Sequence, residues 1–332
     1  MSIRLTAFTS VLLAFSMQVL ASNEVPEAFR DLNLHAIQAP PDADATLQSV
    51  TTLPLQQVSE NHWRLPAGRH VGNFVMDVSI HLECEEGAVL HADGKKNALN
   101  LRAPDVTIEN CRLEDWGKNL TDMNAGIFVE RTAENARIIG NSLQGPGFGV
   151  WVDATRNVLV QSNKVQGDNS MRTQDRGNGL HFFAVRNAQI RDNEVWHVRD
   201  GIYIDASNDN IINGNRLRDM RYGIHYMFSN RNEVTNNETR RTRTGYALMQ
   251  SRQLTVLDNY SDHDDNYGIL MNYVTYSTIR NNFVTDVQAG VGDGIHISGG
   301  EGKGLFIYNS LFNTIANNQF QNSALGIHLT AG

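Results

Sequence analysis

Three side chains near the middle of the chain have the chemistry of a soft-metal site. His225 and Met227 are separated by a single residue, on one face of any β-strand that holds them, and Met249 follows Met227 at an interval that recurs through the chain. Two thioethers beside an imidazole suit a soft monovalent ion such as Cu(I), whereas zinc prefers thiolate or carboxylate to thioether. The same methionines also read, with Trp151 and Phe183, as an apolar strip covered by a cap or a partner, because methionine packs adaptably. A second group lies in Ser261-Asp-His-Asp-Asp-Asn. Asp262, His263 and Asp264, with Asp265 beside them, can supply an acid/base group flanked by carboxylates. A polar turn of this composition needs no explanation beyond solvation. No nucleophile elbow, phosphate-binding loop or Cys/His metal cluster occurs.

The elements that must position these groups are written in a repeat. Gly179, Gly201, Gly223 and Gly245 open four equally spaced segments, and an Asn stands at one fixed offset after each Gly, at Asn193, Asn215, Asn237 and Asn259. After each Gly the first and third residues are mostly apolar, as in Leu180/Phe182 and Ile202/Ile204, while the second and fourth vary freely. That alternation is a strand with one buried face. A fixed period of about 22 residues built from short strands and turns predicts an all-β protein, a right-handed parallel β-helix whose coils rest ~4.8 Å apart. The Asn column, extended to Asn141, Asn163, Asn282 and Asn318, reads as a structural ladder of amides. Asn also tolerates the left-handed conformation of a bend, and the recurring Gly reads as a turn position hostile to a Cβ. Function then falls to the outward positions: Phe128/Glu130, Trp151/Asp153, His181/Phe183, Tyr203/Asp205, His225/Met227, Ala247/Met249, Leu270/Asn272, His296/Ser298 and His328/Thr330. Stacking in register makes this list one continuous face, and its histidines favour a solvated or partner-facing role.

Residues 1–21 carry one early charge, Arg4, then an apolar run ending in Val19-Leu20-Ala21, the pattern of a secretory signal peptide cleaved after Ala21. Residues 22–71 show no repeat and read as an N-terminal linker and cap, with the β-helix over 72–332. The coils open at Gly126, Gly149, Gly179, Gly201, Gly223, Gly245, Gly268, Gly294 and Gly326. Extra residues fall in 166–178, 286–293 and 298–309, all polar or Gly-rich, as surface loops are. Cys84 and Cys111 are about one coil apart, Cys111 at the place of the ladder Asn; two buried thiols are favoured over a disulfide. The net charge of −8 and the lack of a basic cluster argue against a nucleic-acid partner.

Gly201-Ile-Tyr-Ile-Asp-Ala-Ser, Arg221-Tyr-Gly-Ile-His-Tyr-Met-Phe-Ser-Asn and Gly245-Tyr-Ala-Leu-Met closely resemble the NosD family, periplasmic copper-binding maturation proteins of nitrous oxide reductase. The similarity also takes in Leu65-Pro-Ala-Gly and Gly326-Ile-His-Leu-Thr-Ala-Gly, and the specific part is Gly223-Ile-His-Tyr-Met-Phe-Ser. The resemblance implies a right-handed β-helix in the periplasm, without catalytic turnover. Its implied partners are the permease and ATPase complex of an ABC-type transporter, a copper chaperone lipoprotein and nitrous oxide reductase. It also implies that copper, as Cu(I), is bound or relayed, and His225, Met227 and Met249 are where motif and outward face coincide. Family members continue for a further coil and a carboxy-terminal tail, so an open edge is expected near His328.

Two other readings compete. The Asp-His-Asp run at Asp262, His263 and Asp264 is similar to that of uronate epimerases, which makes a carbohydrate-active β-helix, a C5-epimerase or a polysaccharide lyase, the alternative. A docking module that binds no metal is the third.

Overall fold

The computed structural model describes residues 47–288 and 302–330. The expected signal peptide, the first half of the expected linker and cap (22–46), and His296 and Ser298 lie outside the described residues. Among these residues no helix is long and apolar enough to cross a membrane.

The chain winds into a parallel β-solenoid of about 12 turns with three short strands per coil. In the coil that opens at Gly201 these are Asp200–Asp205, Ile211–Asn213 and the first part of Arg216–Met227. Each strand pairs in parallel with its counterpart in the next coil, as Ile202↔Ile224 and Ile212↔Val234 show. The middle strands form a 12-stranded sheet, and the other two runs merge into a 21-stranded sheet. The alternation after each Gly is the reason. Leu180, Phe182, Ile202, Ile204, Ile224, Tyr226, Tyr246 and Leu248 all point inward and are fully buried. The ladder starts before residue 72: His62–Leu65 and Gly68–Val71 pair with His81–Cys84 and Ala88–His91, so the end of the expected linker and cap supplies a coil.

The Asn column forms a continuous ladder. Asn215 Nδ2 donates to Asn237 Oδ1 at 2.9 Å and its backbone N–H reaches the same oxygen at 3.0 Å, and Asn237 repeats both bonds to Asn259. Each Nδ2 also caps an interior carbonyl, as Asn237 does at Ile212 O, 2.9 Å away. The left-handed bend falls on the residue before the ladder Asn, at Asp192, Gly214, Asn236 and Asp258, not on the ladder Asn itself. The reason is geometric: the bend turns the following amide inward. The recurring Gly is likewise not a turn residue. It lies inside its strand, and a Cβ at Gly201 would come within 2.6 Å of the Gly223 carbonyl oxygen and 2.8 Å of the Met220 sulfur. Close approach of successive coils is what excludes a side chain there.

Two further expectations change. Cys84 and Cys111 are joined in a disulfide, with Cα atoms 4.9 Å apart, instead of resting as two thiols. Cys111 does take the place of the ladder Asn, its N–H bonding Asn141 Oδ1 at 2.8 Å. The coil after Gly268 opens at Gly304, not Gly294: Lys303–Tyr308 pairs with Tyr267–Asn272 through Ile269↔Leu305 and Leu270↔Phe306. Gly304-Leu-Phe-Ile carries the same alternation and lies one regular period before Gly326, so one insertion replaces the two expected around Gly294.

The ladder sets the first prediction. Asn237→Leu leaves the Asn215 N–H buried without a partner, at about 1–3 kcal/mol, and removes the amide's own bonds to the Ile212 carbonyl and along the ladder. Chemical denaturation should show a loss of about 3 kcal/mol or more, while Asn208→Ala, at a half-buried turn position, costs clearly less.

Candidate metal centre

The outward positions after each Gly stack along one face: Phe128, Trp151, His181, Tyr203, His225, Ala247, Leu270, Phe306 and His328 at the second position, and Asp153, Phe183, Asp205, Met227, Met249, Asn272 and Tyr308 at the fourth. The solvated role expected for its histidines does not hold in the central coils. The structure buries much of the face: His181 and His225 are each 6 % exposed and Trp151 is 7 % exposed. The period-two pattern separates inside from outside but carries no information on what side chains of one column do to one another. Here they stack ring on ring.

A second column, the residue before each Gly, flanks the first and holds Phe148, Asn178, Asp200, Tyr222, Thr244 and Tyr267. It supplies the partners that sequence reasoning missed. Asp200, almost wholly buried, accepts from His225 Nδ1 at 3.1 Å and from Arg221 Nε and Nη2 at 2.8 and 2.6 Å. Burial alone would raise the Asp200 pKa, but the bonds from His225 and Arg221, and Arg221's charge, outweigh it and hold the carboxyl below its usual range. The His225 ring is stacked on Tyr203 at 4.3 Å and meets the Tyr222 edge at 4.9 Å. Its Nε2 is buried and has no hydrogen-bond partner.

Met227 and Met249 are register partners on neighbouring strands, both half-buried, and His225 shares Met227's strand and face. Ala247 follows His225 in the column, a methyl where the other members around it carry rings or Leu. Two metal–sulfur bonds of roughly 2.3 Å span about the separation of adjacent strands, ~4.8 Å. The three predicted ligands therefore share one face, with Met227 and Met249 in register and His225 on the strand of Met227. His181 lies two rungs away, across Tyr203, and burial depresses its pKa to about 3, so it is neutral. His328 occupies the last described rung.

The Asp262–Asp265 group does not converge. His263 Nδ1 bonds Asp262, whose other oxygen accepts from Arg240 Nη1 at 2.8 Å. Asp264 turns the opposite way, into the coil, and accepts from Thr242 N and Oγ1 at 3.0 and 2.6 Å and from the Ser261 hydroxyl. His263 is exposed and Asp264 is 1 % exposed, so the acid/base trio of the alternative reading is split between surface and core. Asp286, one coil on, is the group that meets Asp262 and His263, with ligand-type atoms within 4.8 Å of one another. Arg240 already neutralises Asp262 there.

A family model described as periplasmic copper-binding protein (NosD) matches residues 161–332, the stretch that contains His225, Met227 and Met249. A Stutzerimonas stutzeri protein named probable ABC transporter binding protein NosD is 58% identical over 291 residues, covering 87% of this chain and 67% of that protein. A Pseudomonas aeruginosa protein of the same name is 57% identical over 290 residues, covering 87% and 68%. The chain belongs to the NosD family. NosD proteins are periplasmic and copper-binding by the family's description, and the relatives' name describes binding proteins, not enzymes. Solved structures of the same shape include the A-module of the Azotobacter vinelandii mannuronan C-5 epimerase AlgE6, with a TM-score of 0.59 at 13% identity over 81% of this chain and 87% of that one. The periplasmic alginate epimerase AlgG gives 0.52 at 14% identity over 82% and 83%. At such identity they share with this NosD-family chain the β-helix fold alone.

Asp264 generates a prediction that is independent of metal. Burial raises its pKa from 3.8 to about 7, opposed by the bonds from Ser261 and Thr242. Between these values the folded chain holds a proton that the unfolded chain has lost, so this group makes stability fall as pH rises from about 4 to about 7. Above pH 7 the deficit is constant. Asp264→Asn keeps an acceptor for Thr242 and removes the ionisation. Thermal unfolding should show the variant more stable than the parent at pH 8, by on the order of 2–4 kcal/mol, with little difference at pH 4.

Proposed function

We propose that the protein binds Cu(I) through His225 Nε2 and the thioether sulfurs of Met227 and Met249. We further propose that it relays the ion in assembling the copper centres of nitrous oxide reductase. In that role it is docked on the permease and ATPase complex of an ABC-type transporter and receives or exchanges copper with a chaperone lipoprotein. The family's copper binding and the relatives' name, ABC transporter binding protein, support the reading.

The observation that carries it is the His225 ring. Its Nδ1 is committed to Asp200 and its Nε2 is buried with no partner, on the strand and face that hold Met227, whose register partner is Met249. A lone buried nitrogen costs free energy unless something binds it. Soft sulfur with imidazole selects Cu(I) over zinc, calcium or magnesium. Three neutral donors hold a monovalent ion without closing its coordination, so a partner's ligand can enter and take it. Transfer then needs no large movement of the rigid coils.

Anaerobic titration of Cu(I) against a competing chelator tests the site. Met227→Leu/Met249→Leu and His225→Gln should each weaken binding roughly 100-fold, at or beyond the upper end of the 10–100-fold loss typical of outer-shell changes. Unchanged competition by the double methionine variant removes these residues as ligands. Turnover of alginate would instead revive the enzymatic reading.

A further inference from the structure

His181 and His225 occupy the same column, yet the residues before the glycines present them with opposite partners. Asp200 offers His225 only lone pairs, because both of its oxygens are paired with the Arg221 guanidinium through Nε and Nη2. The 3.1 Å contact to its Oδ2 therefore requires a proton on His225 Nδ1, and in the neutral ring Nε2 then carries the lone pair. Asn178 meets His181 through its amide nitrogen, Nδ2 to Nδ1 at 3.1 Å. With Nδ2 as the contacting atom the amide donates, so His181 Nδ1 accepts and the neutral ring carries its proton on Nε2; an amide turned to aim Oδ1 at the ring would reverse the tautomer. Both Nε2 atoms are buried and without partners. With these contacts the neutral His225 ring presents a lone pair there and the neutral His181 ring an N–H.

We infer that Asp200, oriented by Arg221, is a positioning residue that fixes the Nδ1–H tautomer of His225 and so makes it, and not His181, the histidine of this face that takes a soft metal ion. The inference rests on the reading of His225 as a copper ligand and assigns the control of that ligand. A metal-binding imidazole must present a lone pair, and a carboxylate on its other nitrogen both fixes the tautomer and raises the basicity of the donor. Tyr203 stacked on one face at 4.3 Å and the Tyr222 edge at 4.9 Å restrain rotation of the ring. Arg221 itself lies over the Tyr222 ring at 4.4 Å, which joins the guanidinium, the carboxylate and the imidazole into one clamp across two coils. Without the carboxylate a neutral histidine favours the Nε2–H form, and the metal-facing nitrogen is then blocked by a proton.

The test is two-dimensional 15N–1H NMR of the imidazoles in the metal-free full chain, with assignments from His181→Gln and His225→Gln. His225 is expected as the Nδ1–H tautomer and His181 as Nε2–H. Removing one charge alone leaves the other buried, so the variant is Asp200→Leu/Arg221→Met, in which both charges go together. A melting temperature close to the parent's certifies its fold. In that variant His225 should shift to Nε2–H while His181 keeps its form, and Cu(I) affinity should fall about 10- to 100-fold. An Nε2–H His225 in the parent, or a tautomer unmoved in the variant, overturns the inference. A correct tautomer in a protein that does not compete for Cu(I) overturns the copper reading and leaves the positioning by Asp200 standing.

Discussion

Everything in this molecule depends on parallel register between coils. Each strand bonds to the same strand one turn away, and the Asn ladder locks that alignment at the corner where backbone hydrogen bonding is most easily lost. The glycines that open the strands let the coils approach to a distance at which no Cβ fits. Once register is fixed, a residue's neighbour along the rod is set by counting one repeat along the chain, and side chains far apart in sequence become permanent pairs. Met227 and Met249 are such a pair, and so are Tyr203 and His225.

The proposed copper site would be a by-product of that geometry. A β-helix face presents side chains at fixed spacing on a rigid surface, so ligands need no induced movement to meet. Its difficulty is that an imidazole in a stacked column is shielded from water and must obtain its proton arrangement from the protein. In the proposed site Asp200 supplies it from the neighbouring coil, held by Arg221 on His225's own strand. The buried Asp264 shows the opposite use of a carboxylate: burial raises its pKa to about 7, and it accepts from Thr242 at a coil corner and does no chemistry at the surface.

Much of this was legible in the chain. The Gly and Asn periods gave the coil, the alternation gave the interior, and the outward list placed His225, Met227 and Met249 on one face. What could not be read has physical causes. Gly294 and Gly304 both open an apolar alternation, and only strand pairing chooses Gly304. Cys84 and Cys111 sit a coil apart whether or not they are bonded; the bond depends on Cα separation. Asp200 has no motif, since its partner is 25 residues on and in the next coil. Reading the residue before each Gly as a second column, Phe148, Asn178, Asp200 and Tyr222, was the signal that would have found it. The Asp262–Asp264 run, the basis of the alternative enzymatic reading, does not converge because residues at a bend point in opposite directions.

X-ray absorption at the copper edge of the Cu(I)-loaded chain tests the central claim most directly. The account predicts a shell of two sulfur scatterers and one imidazole nitrogen, with the sulfur contribution lost in Met227→Leu/Met249→Leu. A shell of nitrogen and oxygen alone, or sulfur scattering that survives in that variant, would contradict it.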